Sequence, residues 1–71
     1  MNDYELLFLI CKKGVNIGNI IFWYKVMNNN NKNYNVEDYN RKTILQGMEQ
    51  TDLTEYEFKA IIGYLKNKNI L

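Results

Sequence analysis

Four times along this chain one piece of local grammar recurs: a capping residue, a polar residue three places later, and an apolar or aromatic pair bracketing the two. The frames are Asn2 with Glu5, Asn16 with Asn19, Asn35 with Asp38, and Thr54 with Glu57. Their brackets are Met1 and Leu6, Val15 and Ile20, Tyr34 and Tyr39, and Leu53 and Phe58. A side-chain oxygen at the N-cap accepts from an amide of the first turn, and the bracketing pair packs across that turn as a hydrophobic staple. Each frame therefore marks a helix start, and only Thr54 with Glu57 has the strict capping-box chemistry. Four starts within 71 residues leave room for four short helices and little else.

The stops are written less evenly. The first helix is predicted over about Asp3 to Lys13, with Gly14 in the left-handed C′ position and Ile10 meeting Val15 across a Schellman-type turn. The second is predicted from Ile17 to about Asn28, and the third from Val36 to about Gln50, where Gly47 weakens the last turn. The fourth runs from Glu55 to about Asn67. There Phe58, Ile61, Ile62 and Leu65 recur at i, i+3, i+4 and i+7, one apolar stripe that leaves Glu55, Lys59, Gly63, Lys66 and Asn67 facing outward. The low-complexity run from Asn28 to Asn33 reads as a polar loop. Tyr34 to Val36 and Asn69 to Leu71 are candidates for two short strands.

The apolar content exceeds what so small a fold can hide. Leu6 to Cys11 are consecutive apolar residues in the first helix, and the second carries Ile20, Ile21, Phe22, Trp23, Tyr24, Val26 and Met27. A helix apolar on every side must be surrounded, yet a chain of this size buries only about 60–65% of its unfolded surface. Two readings stay open. The first helix is the central core helix and Trp23 a core or boundary aromatic, or a leftover face on Leu9, Phe22, Trp23 and Val26 meets another chain, making the protein a homo-oligomer.

The run Leu6 to Cys11 is far too short to cross a bilayer, and Asn2, Asp3 and Glu5 stand where a signal peptide carries positive charge. No membrane association is expected. The lone cysteine, Cys11, permits no internal disulfide and fits a reducing, cytoplasmic setting. Within an apolar helix it reads as a small buried hydrophobe.

Catalysis has little to draw on. The chain contains neither His nor Ser, so nucleophile and general-base pairs fail at the first check. Zinc ligands of the usual Cys and His type are missing as well. Glu37 with Asp38, and Asp52 with Glu55 and Glu57, stand at helix starts where carboxylates oppose the macrodipole. The four glycines form no phosphate loop. The expectation is a protein that is not an enzyme and takes no metal, cofactor or small-molecule substrate.

Nine basic and eight acidic residues give a net charge of +1, far from the strongly basic balance of many nucleic-acid binders. DNA contact would need a local patch. Arg41 and Lys42 on the third helix, with Lys59, Lys66 and Lys68 on and after the fourth, are the candidates for phosphate contacts. Asn67 is a candidate for a base edge or the backbone. Glu55, Tyr56 and Glu57 occupy the N-terminal end of the fourth helix, the end that usually enters the major groove, and its carboxylates oppose insertion. A merely solvated charged face is the competing reading.

The order of these pieces resembles a known family. A Lys-Gly pair closes the first helix (Lys13, Gly14), Gly18 to Tyr24 open an aromatic second helix, and an Asn-rich loop leads to Tyr34–Val36. An acidic start to the third helix follows (Glu37, Asp38), and then a Leu-Thr-x-x-Glu-Phe start to the fourth, which closes on Ile70 and Leu71. Over about four fifths of the chain this is similar to the N-terminal winged-helix domain of phage replisome organisers and DnaD-like primosome proteins. The bias toward Asn, Ile, Lys and Tyr resembles coding from an AT-rich genome, as of a low-GC bacterium, its phage or a plasmid.

The resemblance implies a mostly α, four-helix, winged-helix-like (helix-turn-helix) domain over residues 1–71, with at most a minimal two-stranded sheet. It also implies self-association together with contacts to duplex or single-stranded DNA or to replication proteins. The chain stops at the first wing strand, which puts full replication-organiser activity in doubt. The expectation is a non-catalytic, DNA-associated or replication-linked adaptor that self-associates. The alternative is a protein-binding module without DNA binding, such as a small phage inhibitor of a host enzyme.

Overall fold

The computed structural model describes residues 1–30 and 41–71, and the side chains of all of these except 28–30. Within them lie four helices and no strand: α1 (Asp3–Lys13), α2 (Ile17–Asn30), α3 (Arg41–Gly47) and α4 (Glu55–Asn67). The protein is mostly helical. The third capping frame, around Asn35, and the start expected at Val36 lie outside the described residues, as does the strand expected at Tyr34 to Val36.

The three described helix starts are built as their sequences specify. The Asn2 side chain accepts from the Glu5 amide at 2.8 Å, and the Asn16 side chain from the Asn19 amide at 3.2 Å. At α4 the capping box is reciprocal. The Glu57 amide donates to the Thr54 hydroxyl (3.1 Å), and the Thr54 amide donates to the Glu57 carboxylate (2.8 Å). Leu53 with Phe58 and Val15 with Ile20 are buried staples, whereas Met1 stays exposed beside buried Leu6.

Three helices stop in the same way. After α1 the Val15 amide reaches back to the Ile10 carbonyl (2.9 Å) and Gly14 adopts φ 64°. After α3 the Gln50 amide reaches Leu45 (2.8 Å), and after α4 the Ile70 amide reaches Leu65 (2.9 Å). The left-handed residues at these two stops are Glu49 (φ 57°) and Asn69 (φ 58°). These are Schellman turns, and only the first carries the glycine that advertises one.

Two boundaries and one element depart from expectation. α3 ends at Gly47, three residues early, because the chain turns through Glu49. α2 continues to Asn30, since each asparagine costs a helix at most about 0.7 kcal/mol relative to alanine and Met27 anchors the preceding turn in the core. The strand expected at Asn69 to Leu71 is absent. Those residues form the α4 stop, with the Leu71 amide also directed at Leu65 (3.3 Å).

The core is centred on α4. Phe58, Ile61, Ile62 and Leu65 are at most 1% exposed, and around them gather Leu6 and Ile10 from α1, Ile20 and Met27 from α2, and Ile44 and Leu45 from α3. α1 packs on α4, and α2 packs on α3. The expectation of α1 as a possible central helix is therefore overturned, because only Leu6 and Ile10 of its apolar run are buried. Cys11 is likewise not a buried hydrophobe but exposed. Among the described residues no single helix is long and apolar enough to cross a membrane, and α1 and the first eleven residues of α2 meet at 94°.

Candidate functional site

Polar side chains fasten the segment between α3 and α4, and two basic side chains are part of that fastening. The Lys13 ammonium, at the end of α1, donates to the Asp52 carbonyl (2.6 Å) and pairs with the Glu57 carboxylate (2.9 Å). Gln50 donates to the Lys13 carbonyl at 3.3 Å and to the Asp52 carboxylate. The Arg41 guanidinium donates to the Leu53 carbonyl and is half-buried. Two of the basic residues are thus engaged in holding the start of α4 in place. The Thr54 amide, followed by the Lys13 ammonium, holds the Glu57 carboxyl below its ordinary range.

The outward face of α4 carries Tyr56, Gly63 and Asn67 along its middle, with Lys59 and Lys66 seven residues apart on one flank. Space above Gly63 is open, with no atom within 4 Å of where a Cβ would stand. Tyr56 is exposed, and its hydroxyl accepts from the Met1 amino group at 3.2 Å. Lys68 follows the helix, lies 5.7 Å from the Tyr64 ring centroid and reaches Asp3 at 3.8 Å. Of the six residues expected to meet nucleic acid, Lys59, Lys66 and Asn67 lie on the outward side of α4, whereas Lys68 turns toward Tyr64 and Asp3. Lys42 is exposed on α3, and Arg41 turns toward Leu53. Glu55 shares the flank with Lys59 and Lys66, so the field there is mixed in sign.

The residues expected at a protein interface are divided. Phe22 is 57% exposed. Trp23 is half-buried, set edge-on to Phe22 with ring centroids 5.4 Å apart, and its indole lies against Gly47 so closely that a Cβ there would fall within 2.7 Å of the ring. Leu9 and Val26 are half-buried, and Leu9 packs against the core.

A larger apolar face lies elsewhere. On α1, Tyr4 is 88% and Phe8 69% exposed, with Leu7 and Cys11 exposed beside them. An open groove runs along this helix, lined by Met1, Tyr4, Glu5, Phe8, Leu9 and Lys12. The consecutive apolar run concealed which side is outward. The signal lay in the helix ends, because Leu6 belongs to the first staple and Ile10 to the first stop. Those two fix the inward side, and Tyr4 and Phe8 fall opposite.

Among the described residues no three of His, Cys, Asp and Glu come together as a group able to hold a metal ion. No protein-family model matches the chain, and neither does a curated protein or a solved structure.

Proposed function

We propose that this chain is a non-catalytic adaptor that associates with itself and with nucleic acid, using a different helix for each. The observation that carries this reading is the pair of faces left over once the core is complete. α1 presents an aromatic face that water solvates poorly, and α4 presents Lys59 and Lys66 beside the open space over Gly63. A winged-helix arrangement, with α4 as the helix nearest the nucleic acid, is the finer form of this proposal. The acidic start of α4 disfavours deep major-groove insertion, so contact falls on its C-terminal half. A link to replication rests on the family resemblance.

With Lys42, Lys59 and Lys66 as phosphate partners, affinity for a labelled duplex should fall about 10- to 40-fold between 50 and 200 mM salt. Replacing Lys59 and Lys66 by alanine should lower the log–log salt slope by about 2. No binding at 50 mM salt, or a slope unaffected by the double substitution, overturns the nucleic-acid part.

The second reading, a protein-binding module that ignores DNA, is favoured by one observation. Arg41 and Lys13 are committed to the fold and Glu55 stands on the same flank of α4 as Lys59 and Lys66, which makes a weak basic patch. Loss of the DNA arm with retention of association through α1 is its signature.

A further inference from the structure

The exposed side of α1 has an internal symmetry that points to its occupant. Tyr4 and Cys11 are seven residues apart, as are Glu5 and Lys12, and Phe8 lies between the two pairs. Residues seven apart fall on nearly the same side of a helix, about 10 Å apart along its axis. Opposite buried Leu6 and Ile10, the outward face therefore has Phe8 at its middle. Tyr4 and Cys11 form one edge, and Glu5 and Lys12 form the other. All five are exposed, and neither Glu5 nor Lys12 makes an ion pair among the described residues.

We propose that the occupant of this face is the α1 helix of a second copy, packed antiparallel about a two-fold axis between Phe8 and Leu9. The proposal rests on the self-association read above and specifies its surface and register. A two-fold axis perpendicular to both helices carries each edge of one α1 onto the same edge of its mate while reversing its direction. Glu5 of one copy then stands beside Lys12 of the other, and the same pair forms again by symmetry. The two Phe8 rings meet near the axis, and each Tyr4 lies toward the other copy's Cys11.

A parallel two-fold, whose axis runs along the helices, would instead set the Glu5 and Lys12 edge of one copy against the Tyr4 and Cys11 edge of the other, leaving both charges without an opposite partner. The charge pattern thus selects one orientation and one register, with the isologous, closed geometry of a two-fold dimer. Tyr4 and Phe8 supply aromatic area at its centre, where interfaces are enriched in such side chains. Glu5 and Lys12 form a rim that remains in contact with water.

Sedimentation equilibrium of the full chain, with far-UV circular dichroism as the check on folding, tests the proposal. The unmodified chain should dimerise. Glu5→Lys alone, or Lys12→Glu alone, should weaken the dimer about tenfold by setting two like-charge pairs in place of two attractive ones. Combining the two substitutions should restore affinity to within about threefold, because the pairs re-form with reversed polarity. Phe22→Asp, on α2, should leave the dimer intact.

An unmodified chain that stays monomeric at 1 mM overturns both the pairing and the self-association on which it rests. A dimer that ignores the single charge reversals but is broken by Phe22→Asp overturns the α1 pairing alone and transfers self-association to the aromatic face of α2. A dimer broken by both single reversals and not rescued by the double one overturns the antiparallel register.

Discussion

At position 47 the absence of a side chain is used by a neighbour distant in sequence. Gly47 closes α3 and gives up about 1 kcal/mol of helix propensity relative to alanine, and the Trp23 indole occupies the space where a Cβ would stand. The two effects of Gly47→Ala oppose each other. Propensity favours alanine by about 1 kcal/mol, whereas overpacking against the Trp23 ring, which would stand well inside contact distance of the new Cβ, costs about 1–3 kcal/mol. The packing effect wins, so we expect Gly47→Ala to lower stability and to shift Trp23 emission to the red as the indole moves outward. Urea unfolding and the emission spectrum check this, and a more stable variant with unchanged emission would refute it. The sequence announced Gly47 only as a weak place in a helix, since propensity registers a residue's own turn and not a ring brought in from another helix. Arg41 is a similar case: its charge is plain in the sequence, but its bond to the Leu53 carbonyl depends on where the chain returns.

At the scale of elements the ends were legible, because caps, staples and Schellman turns are made by residues within about six positions of one another. The start and end of α1, and those of α4, stand where their sequences place them. α3 was misjudged at its end because its left-handed residue is Glu49, and a glutamate carries no signal for that conformation. The start of α4 also has a pH dependence of known sign. The Thr54 amide and the Lys13 ammonium both favour the ionised Glu57 carboxylate, so its pKa in the folded state lies below the ordinary value of 4.5. The unfolded chain takes up the proton first on acidification. The stabilisation is complete well above pH 4.5 and is lost as pH falls through the depressed folded value. Urea titrations of the unmodified chain and of Glu57→Gln should therefore differ most near pH 7 and converge toward pH 3. A stability difference independent of pH across that range would remove Glu57 from this role.

For the molecule as a whole, two phenylalanines separate the core from the surface. A 71-residue chain has a total stability of about 4–11 kcal/mol at usual per-residue values. Removing the ring of wholly buried Phe58 costs about 3–5 kcal/mol. Phe58→Ala should therefore remove a large share of that stability, and all of it at the lower end of the range. Phe8→Ala, at a solvent-exposed site, should change the stability of the monomer by no more than about 0.5 kcal/mol. Thermal unfolding at low protein concentration compares the two, and a comparable loss from both would mean that the outer face of α1 is buried as deeply as the stripe of α4. Both residues sit in strongly apolar surroundings in the sequence, yet only the stripe of α4 identifies its own buried side. The run in α1 is apolar all round, and its buried side is marked only by its end signals, Leu6 in the first staple and Ile10 in the first stop. By itself the sequence determined where α1, α2 and α4 begin, how α1 ends and which side of α4 is buried, because those features depend on neighbours along the chain. Only the tertiary structure decided that Arg41 and Lys13 serve the fold and that Trp23 rests on Gly47. Each of those outcomes depends on where a distant helix packs, and the local pattern of residues does not encode that placement.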